Sequence, residues 1–325
     1  MIGHKMGRMM GWTLFAPAAF GFAALIGCTG SEAAAPDTVS AAPTAAASEV
    51  PQAITAEQTI PQQPAPTPTQ VAVQNTRFSY NGELTQGGYI RGLAPDDTVQ
   101  ASLGEQVLDI AEDGTFFAAF DRDSAGTLAL SATLSSGQII RENLIISPRD
   151  WQIERVNIAR RPGGASASFM ARRRPELNAI VASRAEQTGA QGWSQDFIWP
   201  VTGRISGRFG RQRIYRGEPG SYHGGIDIAP GNGVPFVSPA DGVVVLARTG
   251  FSLEGGLIII DHGQGLNSAF LHASRIVVEE GQAVTQGQHI GNVGSTGRAT
   301  GPHLHWGLKW KAARLDPLLF VGPMN

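Results

Sequence analysis

Seven histidines occur in the 325 residues, and six of them fall between residues 223 and 305. They arrive in groups. "SYHGGIDIAP" sets His223 and Asp227 four positions apart, "PHLHW" sets His303 and His305 two apart, and "FLHAS" adds His272 behind two apolar residues. On an extended segment an even separation brings side chains to one face, so each pair can point the same way. Two imidazoles and one carboxylate are a sufficient donor set for a catalytic zinc ion, which keeps its fourth tetrahedral position for water and lowers that water's pKa to about 7. Two further histidines would then serve as proton acceptor and as stabiliser of a developing oxyanion. Each pair alone is commonplace in packed strands. Their joint occurrence in one glycine-rich stretch is what favours chemistry over packing.

The remaining two histidines of this stretch read as structural. His262, in "DHG" after an apolar run, is expected to be a turn residue hydrogen-bonded locally, and His289, in "GQHIG", an ordinary strand position.

The elements that must position these groups follow from the patterning. From about Phe197 onward, runs such as "GVVVLA" and "GGLIIIDHG" predict buried strands joined by tight turns. Upstream, "RRRPELNAIVASRAEQ" predicts a helix within a connector over 150–197, with Pro175 in its first turn. Leu177, Ile180, Val181 and Arg184 fall at helical spacing and form the stripe expected to dock on the following domain. From Asp150 to Arg216 there are twelve arginines, no lysine and five acidic residues. That band reads either as a solvated face with packed arginine stems or as a surface for phosphate-bearing envelope polymers.

Over 76–149 short alternating strands predict a small β-sandwich, with Val99, Ala101 and Leu103 on one side, then Phe116, Ala118 and Phe120, then Leu128, Leu130, Ala132 and Leu134. The turns fall at "EDG" and "SSG". This region holds no histidine or cysteine, so a spacer or binding role is expected of it.

The N-terminus reads as a targeting segment. His4, Lys5 and Arg8 precede an apolar stretch, interrupted by Pro17, that ends at Cys28, the only cysteine. The run is short for a membrane span of ~20 residues and has the form of an export signal over 1–27. "LIGC" resembles a bacterial lipobox, which implies lipid attachment at Cys28 and anchoring in the cell envelope facing the periplasm, with Thr29 leaning towards the outer membrane. An uncleaved anchor is the other reading of this segment. The Ala-, Pro- and Thr-rich stretch over 28–75 lacks the bulky apolar residues needed to offset chain entropy and is expected to be a disordered tether. A net charge of −2 gives no reason to expect a nucleic-acid partner.

"HGGID", the Leu271–His272 pair and "TGPHLHW" together resemble the lysostaphin-like, LytM-type zinc metalloendopeptidases of bacterial cell walls, and "GRISGRFGRQR" and "GQAVTQGQHIGNVGSTGRATG" match that family's text nearby. The resemblance covers roughly residues 198 to 318. It implies a mainly β chain whose C-terminal domain, 198–325, is an antiparallel-sheet peptidase holding one Zn²⁺. The family pattern makes His223, Asp227 and His305 the metal ligands and His272 and His303 the catalytic histidines, with His303 as base and His272 as oxyanion donor, or the two exchanged. It also implies peptide stems of peptidoglycan as substrate, with other envelope proteins as a further class of partner. In a Gram-negative envelope the bond would be the D-alanyl to diaminopimelate cross-link. One departure is Phe270, where a tyrosine is common; it removes a hydroxyl expected to hydrogen-bond substrate and leaves the metal set intact. Because some family members act without catalysis, the rival expectations are an activator of other wall hydrolases and a peptidoglycan-binding scaffold.

Overall fold

Gly255–Asp261 is buried along its whole length, as an unbroken apolar run must be when a strand is covered on both faces. The computed structural model describes residues 74–159 and 166–324. The expected export segment, Cys28 and all but the last two residues of the expected tether lie outside the described residues. No helix among the described residues is long and apolar enough to cross a membrane.

The first strands are β1 (Ser79–Gly82), β2 (Tyr89–Leu93), β3 (Thr98–Leu103), β4 (Gln106–Leu108), β5 (Thr115–Ala119), β6 (Thr127–Leu134) and β7 (Ile139–Ile145). They form two sheets, β1-β2-β5 and β4-β3-β6-β7. Two expected alternations fail here for identifiable reasons. Val99 is 67% exposed while Ala101 and Leu103 are buried, because the pairing of β3 with β6 slips between Thr98 and Gln100, a bulge that turns one residue outward. Phe117 and Ala119 are buried together with Phe116 and Ala118, so β5 is covered on both faces. The second cover comes from the C-terminal end: Phe117 lies 6.3 Å from Trp310, and Tyr89 stacks on Phe320 at 4.0 Å. The sandwich and the sheet that follows thus share one apolar cluster.

The chain continues through β8 (Ile153–Val156), α1 (Ala167–Ala185), β9 (Arg204–Gly207), β10 (Gln212–Tyr215), β11 (Glu218–Pro219), β12 (Ile226–Ala229), β13 (Pro235–Val237), β14 (Gly242–Phe251) and β15 (Gly255–Asp261). It ends with β16 (Leu266–Leu271), β17 (Arg275–Ile276), β18 (Ala283–Val284), β19 (His289–Asn292), β20 (Leu304–Trp310) and β21 (Ala313–Leu315). The main sheet runs β18-β14-β15-β16-β20-β12-β9, with β21 added beside β20, and its pairs are antiparallel. Register sorts its two faces. Ile226, Trp306 and Phe270 form one cross-strand row and are completely buried. The neighbouring row, Asp227, His305 and Leu271, therefore faces the other way.

Helix α1 lies on that second face. It begins at Ala167, where Ser166 Oγ accepts from the Phe169 amide at 3.1 Å, a cap for an otherwise orphaned donor. Pro175 is thus in the helix interior and not in the first turn. The docking stripe also differs from expectation. Leu177 and Val181 are exposed, whereas Arg173 and Ser183 are buried. Arg173 makes a bidentate pair with Glu254 at 2.6 and 2.7 Å, and Glu176 accepts from the Ser252 amide and hydroxyl at 2.9 and 2.6 Å. Ala179 and Ile180 supply the apolar contact, against a cluster that includes Leu257, Ile259 and Ala269. The helix docks by ion pairs at one end and by two apolar residues, Ala179 and Ile180, in the middle.

Candidate metal centre

Asp227 and His305 are direct cross-strand partners on β12 and β20, and Oδ1 and Nδ1 stand 2.8 Å apart. His223 reaches them from the loop before β12, not from a shared strand as its spacing suggested. The loop is pinned by backbone bonds in both directions: the Gly210 amide donates to the His223 carbonyl and the His223 amide to the Arg211 carbonyl, each at 2.9 Å. The His223 ring donates from Nδ1 to the Arg208 carbonyl at 3.0 Å. A carbonyl can only accept, so in the neutral ring Nε2 is the lone-pair nitrogen. That nitrogen lies 3.0 Å from Asp227 Oδ1 and 3.1 Å from His305 Nδ1.

Two glycines missed by sequence reasoning permit this approach. A Cβ on Gly207 would lie 2.2 Å from Asp227 Oδ2, and one on Gly225 would lie 2.4 Å from the Trp306 carbonyl and 2.9 Å from His305 Nε2. The only local signal was that glycine ends "GRISG" and doubles in "HGG".

Three acceptor atoms this close repel one another unless protons or a cation sit among them. With bonds of ~2.0–2.2 Å, a tetrahedral zinc ion spaces its ligands roughly 3.4 Å apart, so slight outward movement of the triangle accommodates it. The three residues are those that could hold a metal among the described residues, and the donor set suits zinc. Without metal, protons take the cation's place. Burial works against the charge on Asp227, but hydrogen bonds from His223 and His305 outweigh it and hold the carboxyl well below the ordinary carboxylate range. Burial pulls His223 down too, yet its bond to Asp227 lifts it above the usual imidazole range, while at His305 burial prevails and the ring is lowered.

The other two histidines stand beside this triangle with their tautomers fixed by backbone carbonyls. His303 donates from Nδ1 to the Gly301 carbonyl at 2.9 Å, leaving Nε2 3.7 Å from Asp227 Oδ1. His272 donates from Nδ1 to the Thr296 carbonyl at 2.8 Å, and its ring centre is 4.8 Å from that of His303 and 6.5 Å from that of His305. Strict alternation beyond Leu271 would turn His272 to the core. A left-handed backbone at His272, φ 69°, redirects it. Burial lowers its pKa, favouring the neutral ring.

His262 is completely buried, donating from Nδ1 to the Asp241 carbonyl at 2.7 Å and accepting at Nε2 from the Ser268 hydroxyl at 2.7 Å. His289 is exposed on β19. Both are remote from the triangle in role and partners. Phe270 is fully buried and stacks on Phe236 at 5.6 Å, so its ring packs the core.

Concavities flank the centre on both sides. A cleft of about 870 Å³ is lined by His223, Asp227, Gly207 and Tyr215, and a second of about 380 Å³ by His305, Gly307, Lys309 and Arg184. Ser221, Tyr222 and Arg298 line both, so an extended chain laid across the triangle passes from one to the other.

Residues 221–317 match the model of peptidase family M23. Over 126 residues the chain is 40% identical to the peptidoglycan DD-endopeptidase ShyA of Vibrio cholerae, a match spanning 38% of this chain and 27% of that protein. A longer match, 27% identical over 289 residues, covers 77% of this chain and 74% of the murein hydrolase activator NlpD of Salmonella typhimurium. In structure the chain is similar to a peptidase M23 from Pseudomonas aeruginosa, with a TM-score of 0.55, 26% identity, and coverage of 73% of this chain and 95% of that one.

Proposed function

We propose that this chain, which carries a peptidase family M23 domain over residues 221–317, is a zinc-dependent endopeptidase that hydrolyses peptide cross-links of peptidoglycan, with the D-alanyl to diaminopimelate bond as its target in a Gram-negative envelope. The observation that carries this reading is the triangle of His223 Nε2, Asp227 Oδ1 and His305 Nδ1, with edges of 2.8 to 3.1 Å. Held there, zinc would supply Lewis acidity and an acidified water at neutral pH.

The residues of the chain supply the rest. Asp227 and the rings of His223 and His305 hold the ion, and the Arg208 carbonyl keeps His223 in the tautomer that can do so. His303, with Nε2 free to accept and Nδ1 tied to Gly301, takes the proton of the attacking water and passes it to the leaving amine. His272, tied at Nδ1 to the Thr296 carbonyl, would donate from Nε2 to the carbonyl oxygen only as the imidazolium, the form that burial disfavours. Lipid attachment at Cys28 would place the site in the periplasm at the reach of the tether.

A second reading is supported by one observation: relatives aligned over most of both chains are murein hydrolase activators. In that case the same groove would bind wall peptides or a hydrolase without cutting. The two readings separate when purified sacculi are incubated with the full chain, with and without a zinc chelator. Soluble peptide products that vanish with chelator support the endopeptidase. Absence of products, together with stimulation of an added amidase, supports the activator.

A further inference from the structure

The smaller cleft contains charges that the metal centre does not use. Arg184, from α1, Lys309 and Arg314 all line it, beside Arg298, which it shares with the larger cleft. The Nη1 atom of Arg184 is buried and has no hydrogen-bond partner among the described residues. A buried guanidinium nitrogen left unpaired is costly, and its usual explanation is a missing partner. Burial, with Arg314 adding repulsion, pushes the Arg184 guanidinium down to about 10, and burial with Arg184 and Arg314 nearby lowers Lys309 as well. Glu254, the one carboxylate lining the cleft, is already held by both guanidinium nitrogens of Arg173. With Arg298 the cleft is thus lined by four cations and one carboxylate, and although Glu254 acts on Arg184 and Asp121 on Lys309, positive charge is in excess there.

Their placement relative to the metal triangle is set by β20. His305, Gly307 and Lys309 alternate onto one face, and the four-residue step from His305 to Lys309 spans ~13 Å along the strand. Gly307 leaves the path between them without a side chain. Leu257, Ile259 and Ala269 give the cleft an apolar patch among these polar groups.

Resting on the endopeptidase reading, we infer that Arg184, Lys309 and Arg314 form a carboxylate subsite, which seats a free carboxylate of the peptide stem on an aliphatic arm while the bond to be cut lies at the metal centre. A guanidinium offers two parallel donors to a carboxylate, and the ammonium adds a point charge. An extended peptide of about four residues covers the ~13 Å between the two sites. Helix α1 is then part of the substrate groove, since it brings Arg184.

The test measures binding, so that it does not depend on cleavage. Disaccharide-peptide fragments released from sacculi by a muramidase are labelled, and half are amidated at their carboxyl groups with carbodiimide and ammonia. Fluorescence polarisation then gives Kd for the zinc-loaded full chain carrying His303→Ala. Native fragments are expected to bind about tenfold tighter than amidated ones. Arg184→Gln and Lys309→Gln are each expected to shrink that ratio towards one, and Arg184→Lys to preserve most of it. Because Nη1 of Arg184 is buried without a partner among the described residues, Arg184→Gln is expected to keep or raise the melting temperature, which is measured alongside to separate loss of the ratio from unfolding. Equal Kd values for native and amidated fragments overturn the subsite, as does a ratio that survives in the Arg184→Gln, Lys309→Gln double variant. A surviving charge ratio with no digestion of sacculi by the unsubstituted chain overturns the endopeptidase reading alone; digestion with no charge ratio overturns the subsite alone.

Discussion

Asp227 and His305 face each other across neighbouring antiparallel strands, Oδ1 to Nδ1 at 2.8 Å, so two of the three residues of the candidate metal centre are set by sheet register. A one-residue slip of β12 would turn Asp227 into the core. The next strand contributes by what it lacks. Gly207 pairs with Asp227 from β9, and a Cβ there would sit 2.2 Å from Oδ2 and 3.1 Å from the His223 ring. Gly207→Ala should therefore push the carboxylate off its position and weaken zinc binding about 10- to 100-fold, while far-ultraviolet circular dichroism stays unchanged. Competition with a chromophoric chelator reads the affinity; unchanged affinity would mean that the close approach at Gly207 has no bearing on the metal.

His303→Ala and His272→Ala remove groups that are tied to backbone carbonyls and not to the ion. Each variant should retain zinc, by elemental analysis, and lose about 10²- to 10⁴-fold in kcat. Loss of zinc from either one would move that residue into the ligand set.

His262 makes stability depend on pH. Its ring sits between the Asp241 carbonyl and the Ser268 hydroxyl, and the Ser268 oxygen also accepts from Trp306 Nε1 at 3.3 Å. Burial, only partly offset by the Asp241 carbonyl and the charges of Asp261 and Asp241, lowers its pKa to about 4. The unfolded chain, near 6.5, takes up this proton first as pH falls. The stabilisation is complete above 6.5 and is lost between about 6.5 and 4, by roughly 3 kcal/mol. Urea unfolding at a series of pH values should show this slope in the parent and a shallower one in His262→Gln.

Which parts of this arrangement were visible beforehand follows from the range of the forces involved. Residue types and even spacing belong to the local chain, and for His303 and His305 the extended backbone at the start of β20 does bring the two side chains to one site. For His223 and Asp227 the same reasoning gave a common strand that does not exist; their meeting depends on the Arg208 carbonyl and on Gly207, fifteen and twenty residues away from them respectively. His272 broke alternation through its own left-handed backbone, and Val99 through a bulge. The docking face of α1 was misread because it is held by Arg173 and Glu176 to Glu254 and Ser252, partners that no periodicity within the helix announces.

That ion-paired dock yields its own expectation. Arg173→Met should remove the bidentate bond to Glu254 and loosen α1 by ~2 kcal/mol, because it strips a charged, largely buried hydrogen-bonded pair of one partner. Amide hydrogen exchange over residues 167–185 should speed up about 30-fold, with the strands of the main sheet little changed. Uniform acceleration across the domain would instead indicate that α1 supports the whole fold.

The most direct measurement is zinc K-edge X-ray absorption on the full chain loaded with one equivalent of metal, beside His305→Ala treated alike. The account predicts four nitrogen or oxygen neighbours at ~2.0–2.1 Å with outer-shell scattering from two imidazoles, and loss of tight zinc binding in the variant. A chain that takes up no zinc, or a spectrum and affinity unaltered by His305→Ala, would contradict it.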